Sequence, residues 1–314
     1  MTIIIQLLYN YYIMYYLIIT PIILVVFCML MLLIFGHDWY NCITSYLPTT
    51  ESYTNSIRSP TTSRHYNNYI ESIHPAIYPV KLPKFENFSN DHRSSIKHLP
   101  PKYREMIRDY ISRADYVVKK WTIFTKYPWK IYASYNNLEM NMPFTLADTI
   151  IIPINKLDKL FTTYRHGHYD NNFINILIHE KLHVIQRRNQ SKFDSFYRIC
   201  YKSFLGIKYQ KPLPVKLQMV HMNNPDSNNS IWLFTFNKKQ YIPLLTYDAG
   251  IIKTIGYNKD FIEDTIDLNY MRNQLGYGND ISFYHPNEIF ACDVTHHIMD
   301  KTLPTYYSKF LNSI

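Results

Sequence analysis

In the stretch NILIHEKLHVIQR, residues 175–187, His179 and His183 stand four positions apart and Glu180 directly follows the first. On an α-helix this spacing puts both imidazoles on one face, one turn apart, where each can reach a single metal ion at about 2.0–2.1 Å. Glu180 then sits beside them, placed to take a proton from a water polarised by the ion and to pass it to a leaving amine. A spacing of three or five would turn one ring away from the other. With 13 His and 8 Glu among 314 residues, chance supplies roughly 0.014 copies of this pattern, so composition alone is a poor source of it. The competing reading is a pair of ordinary surface or core histidines without metal.

A catalytic zinc site takes three protein ligands and keeps one position open, so a third donor is required. The residues after His183, VIQRRNQSKF, hold no glycine–histidine pair, which excludes a third histidine close by. Far downstream, HPNEIFA (285–291) opens a second helical pattern. With these two helices in this order, the chain resembles the gluzincin metallopeptidases, in which a downstream helix supplies a glutamate. The E-x-F-A pattern is similar to that of several such enzymes, lethal-factor-type toxin peptidases among them. The resemblance implies Glu288 as third ligand to one Zn2+, with Phe290 and Ala291 packing that helix against the motif helix, and it implies hydrolysis of a protein or peptide substrate. By residue type alone, His285, Asp293, His296 and His297 are competing donors. Nothing before residue 99 shares in the resemblance.

The chain departs from the family pattern at two positions. The carboxylate usual four residues after the glutamate is Cys292 here, with Asp293 one step on. Lys181 interrupts an otherwise uncharged signature; about 200° round the helix from His179, it is expected to point to solvent. For oxyanion stabilisation Tyr284, with Tyr277, is the candidate, although in a chain with 30 tyrosines a structural role competes.

The elements that must position these residues follow from periodicity. YREMIRDYISRADYVVKKW repeats apolar residues at helical spacing and opens the folded region near residue 99. Trp129–Tyr135 and Asp148–Ile154 read as strands; the second is either an edge to which a peptide substrate adds or a buried core strand. Asp170 or Asn171 can cap the motif helix. FDSFYRICYKSFL reads as a helix, residues 231–248 as a hairpin turning at Asn237–Gln240, and Pro286 as the first residue of the last motif-bearing helix. The hairpin region between the two motifs reads as an insertion shaping a substrate cleft. Strands first, then helices with a late hairpin, give an α+β, zincin-like domain with a mixed sheet over residues 99–314.

Location is set by the first 37 residues. Between Thr2 and His37 there is no Asp, Glu, Lys or Arg, and from Tyr16 to Trp39 a helix would rise about 34 Å, close to the hydrocarbon thickness. Residues 1–37 are therefore expected to be a single-pass anchor, and 38–98, rich in Ser, Thr, Asn and Pro, a tether. Sequons at Asn87, Asn189 and Asn228 are compatible with an extracytoplasmic, lumenal or virion-surface domain. The net charge of +9 is spread thinly without a basic stripe, so nucleic-acid binding is not expected. The sequence thus leads to a membrane-anchored zinc metalloendopeptidase, with a catalytically silent zinc-binding membrane protein of viral envelope type as the alternative.

Overall fold

The computed structural model of the chain describes residues 95–135, 141–218, 221–222, 224–227, 230–248 and 251–314. All of them fall in the unit running from Ser56 to Ile314. The expected anchor, nearly all of the tether and the sequons at Asn87 and Asn228 lie outside the described residues; within those residues, no helix is long and apolar enough to cross a membrane.

Pairing begins at β1 (Ile96–His98), inside the stretch read as tether. Helix α1 (Pro101–Val118) starts on proline, where a missing N–H costs nothing, and buries the periodic face Tyr103, Met106, Ile107, Tyr110, Ala114 and Val118. Strands β2 (Ile131–Ser134), β3 (Phe144–Leu146) and β4 (Thr149–Pro153) complete a four-stranded sheet in the order β1-β2-β4-β3. β4 runs parallel to β2 and antiparallel to β3, so the sheet is mixed. Because β3 covers its far side, β4 is interior and buried along its whole length. The idea of Asp148–Ile154 as a peptide-accepting edge is thereby overturned; the edge is β3, a strand too short to announce itself in the sequence.

Helix α2 (Ile154–Arg165) leaves β4 directly after Pro153. Helix α3 (Asn171–Arg188) carries the motif and is capped by Asp170, whose carboxylate accepts from the Asn172 N–H at 2.9 Å. Helix α4 (Gln190–Cys200) follows almost at once. A second, wholly antiparallel sheet comprises β5 (Leu205–Lys208), β6 (His221–Met222), β7 (Trp232–Phe236), β8 (Lys239–Asp248), β9 (Ile251–Asn258) and β10 (Thr265–Asp267), ordered β10-β9-β8-β7-β5 with β6 also paired to β8. The expected hairpin is β7–β8; it turns on Asn237 and Lys238, both left-handed at φ 48° and 63°, the backbone a two-residue turn between twisted strands requires. Helices α5 (Leu268–Gln274), α6 (Pro286–Met299) and α7 (Thr305–Ser313) close the chain.

Helix α3 lies inside the domain rather than on it. Phe173, Leu177, Ile178, Leu182 and Ile185 are fully or almost fully buried, each contributing about 1.5–3 kcal/mol by leaving water. This explains a second correction. Lys181 does not reach solvent: it is 0% exposed, its ammonium donates to the Tyr127 carbonyl and lies 4.5 Å from the Trp129 ring centroid. The helix is covered on the face where a surface helix would show charge. Burial pushes the Lys181 ammonium down to about 8, with Asp115 and Asp148 pulling back upward. The unfolded value is about 10.4, so the folded state binds fewer protons between these limits and stability rises with pH across that window, by up to about 3 kcal/mol. Urea unfolding of the full chain at pH 7.5 and pH 10 is expected to show this gain in wild type and not in Lys181→Met; an unchanged pH slope in the variant would remove Lys181 as its source.

Candidate metal centre

His183, on the buried face of α3, is oriented by its own helix. Its Nδ1 lies 2.7 Å from Gln186 Oε1; the amide oxygen accepts, so Nδ1 carries the proton and Nε2 keeps its lone pair for a metal. Gln186 Nε2 donates in turn to Tyr197 OH at 3.0 Å and to the Asn287 carbonyl at 2.9 Å. One buried amide therefore links α3, α4 and the first turn of α6, and places Glu288 opposite the imidazoles. His183 Nε2 is 3.0 Å from His179 Nε2, Glu288 Oε1 is 3.4 Å from His183 Nε2, and Glu288 Oε2 is 3.5 Å from His179 Nε2. Bonds of 2.0–2.1 Å in tetrahedral array set ligand atoms about 3.3–3.4 Å apart. The two imidazoles and the carboxylate, each of whose oxygens faces one ring, thus lie at about the separations of metal ligands, and their types fit a divalent ion of borderline softness.

Electrostatics separate the two rings: His183 is ready to bind a metal, whereas His179 would first have to release a proton. Burial pushes His183 down to about 3 against the pull of Glu288, so the ring is neutral, as a ligand must be. Burial also opposes charge on His179, yet Cys292 and Glu288 beside it hold its value well above the ordinary one. His179 is the more accessible of the two, its side chain 21% exposed against 0% for His183.

Glu180 projects towards β3, where the Thr145 hydroxyl donates to its Oε2 at 2.7 Å. Burial, followed by the neighbouring Asp226 carboxylate, raises Glu180 to about 8. Asp226 belongs to a single 3-10 turn, Pro225–Ser227, laid along the outside of β3. Its Oδ1 accepts from the Thr145 N–H at 3.2 Å and from Arg187 NH2 at 2.9 Å, and the same guanidinium donates to the Thr145 and Pro225 carbonyls, each at 2.7 Å. The outer edge of β3 at Thr145 is therefore already hydrogen-bonded within the chain. Ahead of the turn, Asn224 Oδ1 accepts from the Asp226 N–H at 2.8 Å, while Asn224 Nδ2 donates to Glu288 Oε1 at 3.1 Å and to Tyr284 OH.

Of the residues singled out in the sequence, His179, His183, Glu288, Glu180 and Tyr284 come together. Cys292 joins His179 and Glu288 in a group whose donor atoms all lie within 4.8 Å of one another. The competing donors point elsewhere. His285 caps α6, its Nδ1 accepting from the Asn287 N–H at 3.1 Å and its Nε2 lying 3.1 Å from Ser230 Oγ. Asp293 accepts from Tyr307 OH at 2.5 Å, His297 lies 2.9 Å from Thr302 Oγ1, and half-exposed His296 sits between Asp280 and Asp300. Tyr277 packs into an aromatic group with Phe204 and Phe283 at centroid distances of 5.7 and 5.3 Å. Phe290, 0% exposed, meets Phe193 edge-on at 5.1 Å and Tyr307 at 5.4 Å, fastening α6 to α4 and α7. The Asn189 amide donates to Tyr127 OH and the Ile185 carbonyl at the end of α3, bonds that a glycan on that sequon would break.

Gln186, Thr145, Asn224 and Asp226 escaped the sequence reading. Gln186, one turn past His183, was the one with a positional signal; the turn NNPDS does not stand out in an Asn-rich chain. Compared with protein-family models, curated proteins and solved structures, the chain matches none.

Asp226 and Arg187 are a buried pair, their side chains 6% and 10% exposed. Removing either partner alone should cost about 3–5 kcal/mol by stranding the other charge, whereas the double Arg187→Ala/Asp226→Ala variant should cost clearly less than the sum. Additive losses in a double-mutant cycle by urea unfolding would show that the pair is not coupled.

Proposed function

We propose that the chain is a gluzincin-type zinc metalloendopeptidase, with His179, His183 and Glu288 holding one Zn2+ and Glu180 as general base. The observation that carries this reading is the convergence of two imidazoles from one helical turn and a distant carboxylate at about the separations of metal ligands, with a buried glutamate alongside. Bound zinc would supply Lewis-acid polarisation of a water and of the scissile carbonyl. Glu180, steered by Thr145, takes the proton from the attacking water and delivers it to the departing amine. A divalent cation beside it would draw its value down from about 8 and favour the carboxylate form that accepts the proton. Because Asn224 Nδ2 donates into the Tyr284 oxygen, the phenolic proton remains free to meet a developing oxyanion. Arg187 and Asp226 hold β3, and with it Thr145, against the motif helix.

The same reading makes residues 1–37 a single-pass membrane anchor and puts the peptidase domain on the extracytoplasmic, lumenal or virion-surface side, acting on protein or peptide and not on nucleic acid. A second reading, a catalytically silent zinc protein, is favoured by one observation: Cys292 offers a fourth donor beside His179 and Glu288, and four protein ligands would close the site.

The full chain is expected to hold about one zinc per molecule. Glu180→Gln should keep that zinc while peptide cleavage drops by about 10²- to 10⁴-fold, the usual worth of a general base. Glu288→Ala should lose the metal. Metal-free wild type, or cleavage indifferent to Glu180, would refute the peptidase assignment.

A further inference from the structure

The turn that seats Asn224 is held by both helices of the metal centre. Asp226 Oδ1 accepts from Arg187 of α3, and the Asp226 carbonyl accepts from Asn287 Nδ2 of α6 at 2.9 Å. Within the turn, Asn224 Oδ1 accepts from the Asp226 N–H at 2.8 Å, and the Asn224 carbonyl accepts from Ser227 Oγ at 2.7 Å. An oxygen committed to an N–H settles which end of the amide faces where, so the NH2 end must face Glu288 and Tyr284. Its two hydrogens match two acceptors, Glu288 Oε1 at 3.1 Å and the Tyr284 oxygen. Tyr284 is 9% exposed, and among the described residues no group accepts its hydroxyl proton. A buried donor without an acceptor costs about 1–3 kcal/mol. Were the Asn224 amide reversed, its oxygen would take that proton and remove the cost, but the Asp226 N–H forbids the reversal.

We propose that Asn224 is a positioning residue of the site, a single amide that steadies Glu288 for the metal and reserves the Tyr284 proton for an oxygen of the substrate. This rests on the metallopeptidase reading and adds a residue to it: Asn224 acts through the two side chains it touches and not on the substrate itself. A zinc site that only holds the fold gains nothing from an idle buried donor, whereas a site that develops negative charge on a substrate oxygen needs a donor with no prior partner. Because one side chain serves both Glu288 and Tyr284, the metal ligand and the proton donor keep a fixed separation. The residue type fits the task. Among side chains short enough to cap this turn, asparagine alone offers an acceptor at one end and two donors at the other. Aspartate would accept the Tyr284 proton and repel Glu288, and serine would cap the turn without reaching either.

The test uses the zinc-loaded full chain and a peptide phosphinate, whose anionic oxygens stand in for the oxyanion. Asn224→Ser keeps a cap for the Asp226 N–H and removes both donors, while Tyr284→Phe removes the phenolic proton alone. Competition against a chelator should show zinc affinity lower by about 10- to 100-fold in Asn224→Ser, the usual loss when the hydrogen bond behind a ligand is removed, and unchanged in Tyr284→Phe. At saturating zinc, calorimetry should show phosphinate binding about 10- to 100-fold weaker in each single variant, the worth of a hydrogen bond to a charged group. The double variant should bind it no more weakly than Tyr284→Phe alone, since Asn224 acts through that hydroxyl. Losses that multiply in the double variant, or an Asn224→Ser protein that binds zinc and phosphinate as wild type does, would overturn the positioning role and leave the metallopeptidase reading standing. Wild type that holds zinc and binds no phosphinate would overturn that reading and the positioning role with it.

Discussion

The crossing of α3 and α6 is the constraint on which the site depends, and a buried amide fixes it. Gln186 holds the His183 ring through its oxygen and the Asn287 carbonyl and Tyr197 hydroxyl through its nitrogen. Tyr197 closes the loop by donating to Asn287 Oδ1 at 3.1 Å. Hydrophobic contact brings two helices together but leaves them free to slide; polar groups that pay a desolvation penalty unless all are matched permit one register only. Here that register decides where Glu288 stands relative to the imidazoles, and a misplacement of an ångström would spoil ligand geometry. Phe290, wedged among Phe193, Phe196 and Tyr307, secures the opposite face of α6.

Around this crossing the domain collects buried charge and then satisfies it locally. Glu180, Asp226 and Glu288 are each almost fully buried, and three carboxylates so close repel one another. Arg187 neutralises Asp226, Thr145 hydrogen-bonds Glu180, and Asn224 hydrogen-bonds Glu288. What remains unneutralised faces the imidazoles, where a divalent cation is the economical counter-charge. The Pro225–Ser227 turn serves twice: it brings Asp226 to Arg187 and occupies the outer side of β3. Asn224, just ahead of that turn, adds hydrogen bonds to Glu288 and Tyr284.

Much of the α+β architecture was legible from periodicity, because α1, α3 and α6 carry long apolar repeats with clear starts at Pro101, Asp170 and Pro286. The short strand β3 was not, since three residues give no period, and without it β4 could be read as an edge or as the buried core strand it is. Lys181 misled for a related reason: charge on a helix normally marks the solvent face, but α3 is enclosed on every side and Trp129 and the Tyr127 carbonyl receive the ammonium. The juxtaposition of His179 and His183 with Glu180 beside them was legible because one helical turn dictates their spacing. Glu288 was legible only through the family pattern, and Asn224, Asp226 and Thr145 not at all, because their positions follow from tertiary contacts between segments far apart in sequence.

His179, His183, Glu288 and Cys292 make an open catalytic site or a closed structural one depending on whether the Cys292 sulfur reaches the ion. Zinc K-edge X-ray absorption of the full chain loaded with one equivalent of metal distinguishes them directly. An open peptidase site gives nitrogen and oxygen scatterers at about 2.0–2.2 Å, including the outer-shell signature of two imidazoles, and no sulfur; a sulfur shell at about 2.3 Å would mean a closed site and no peptidase.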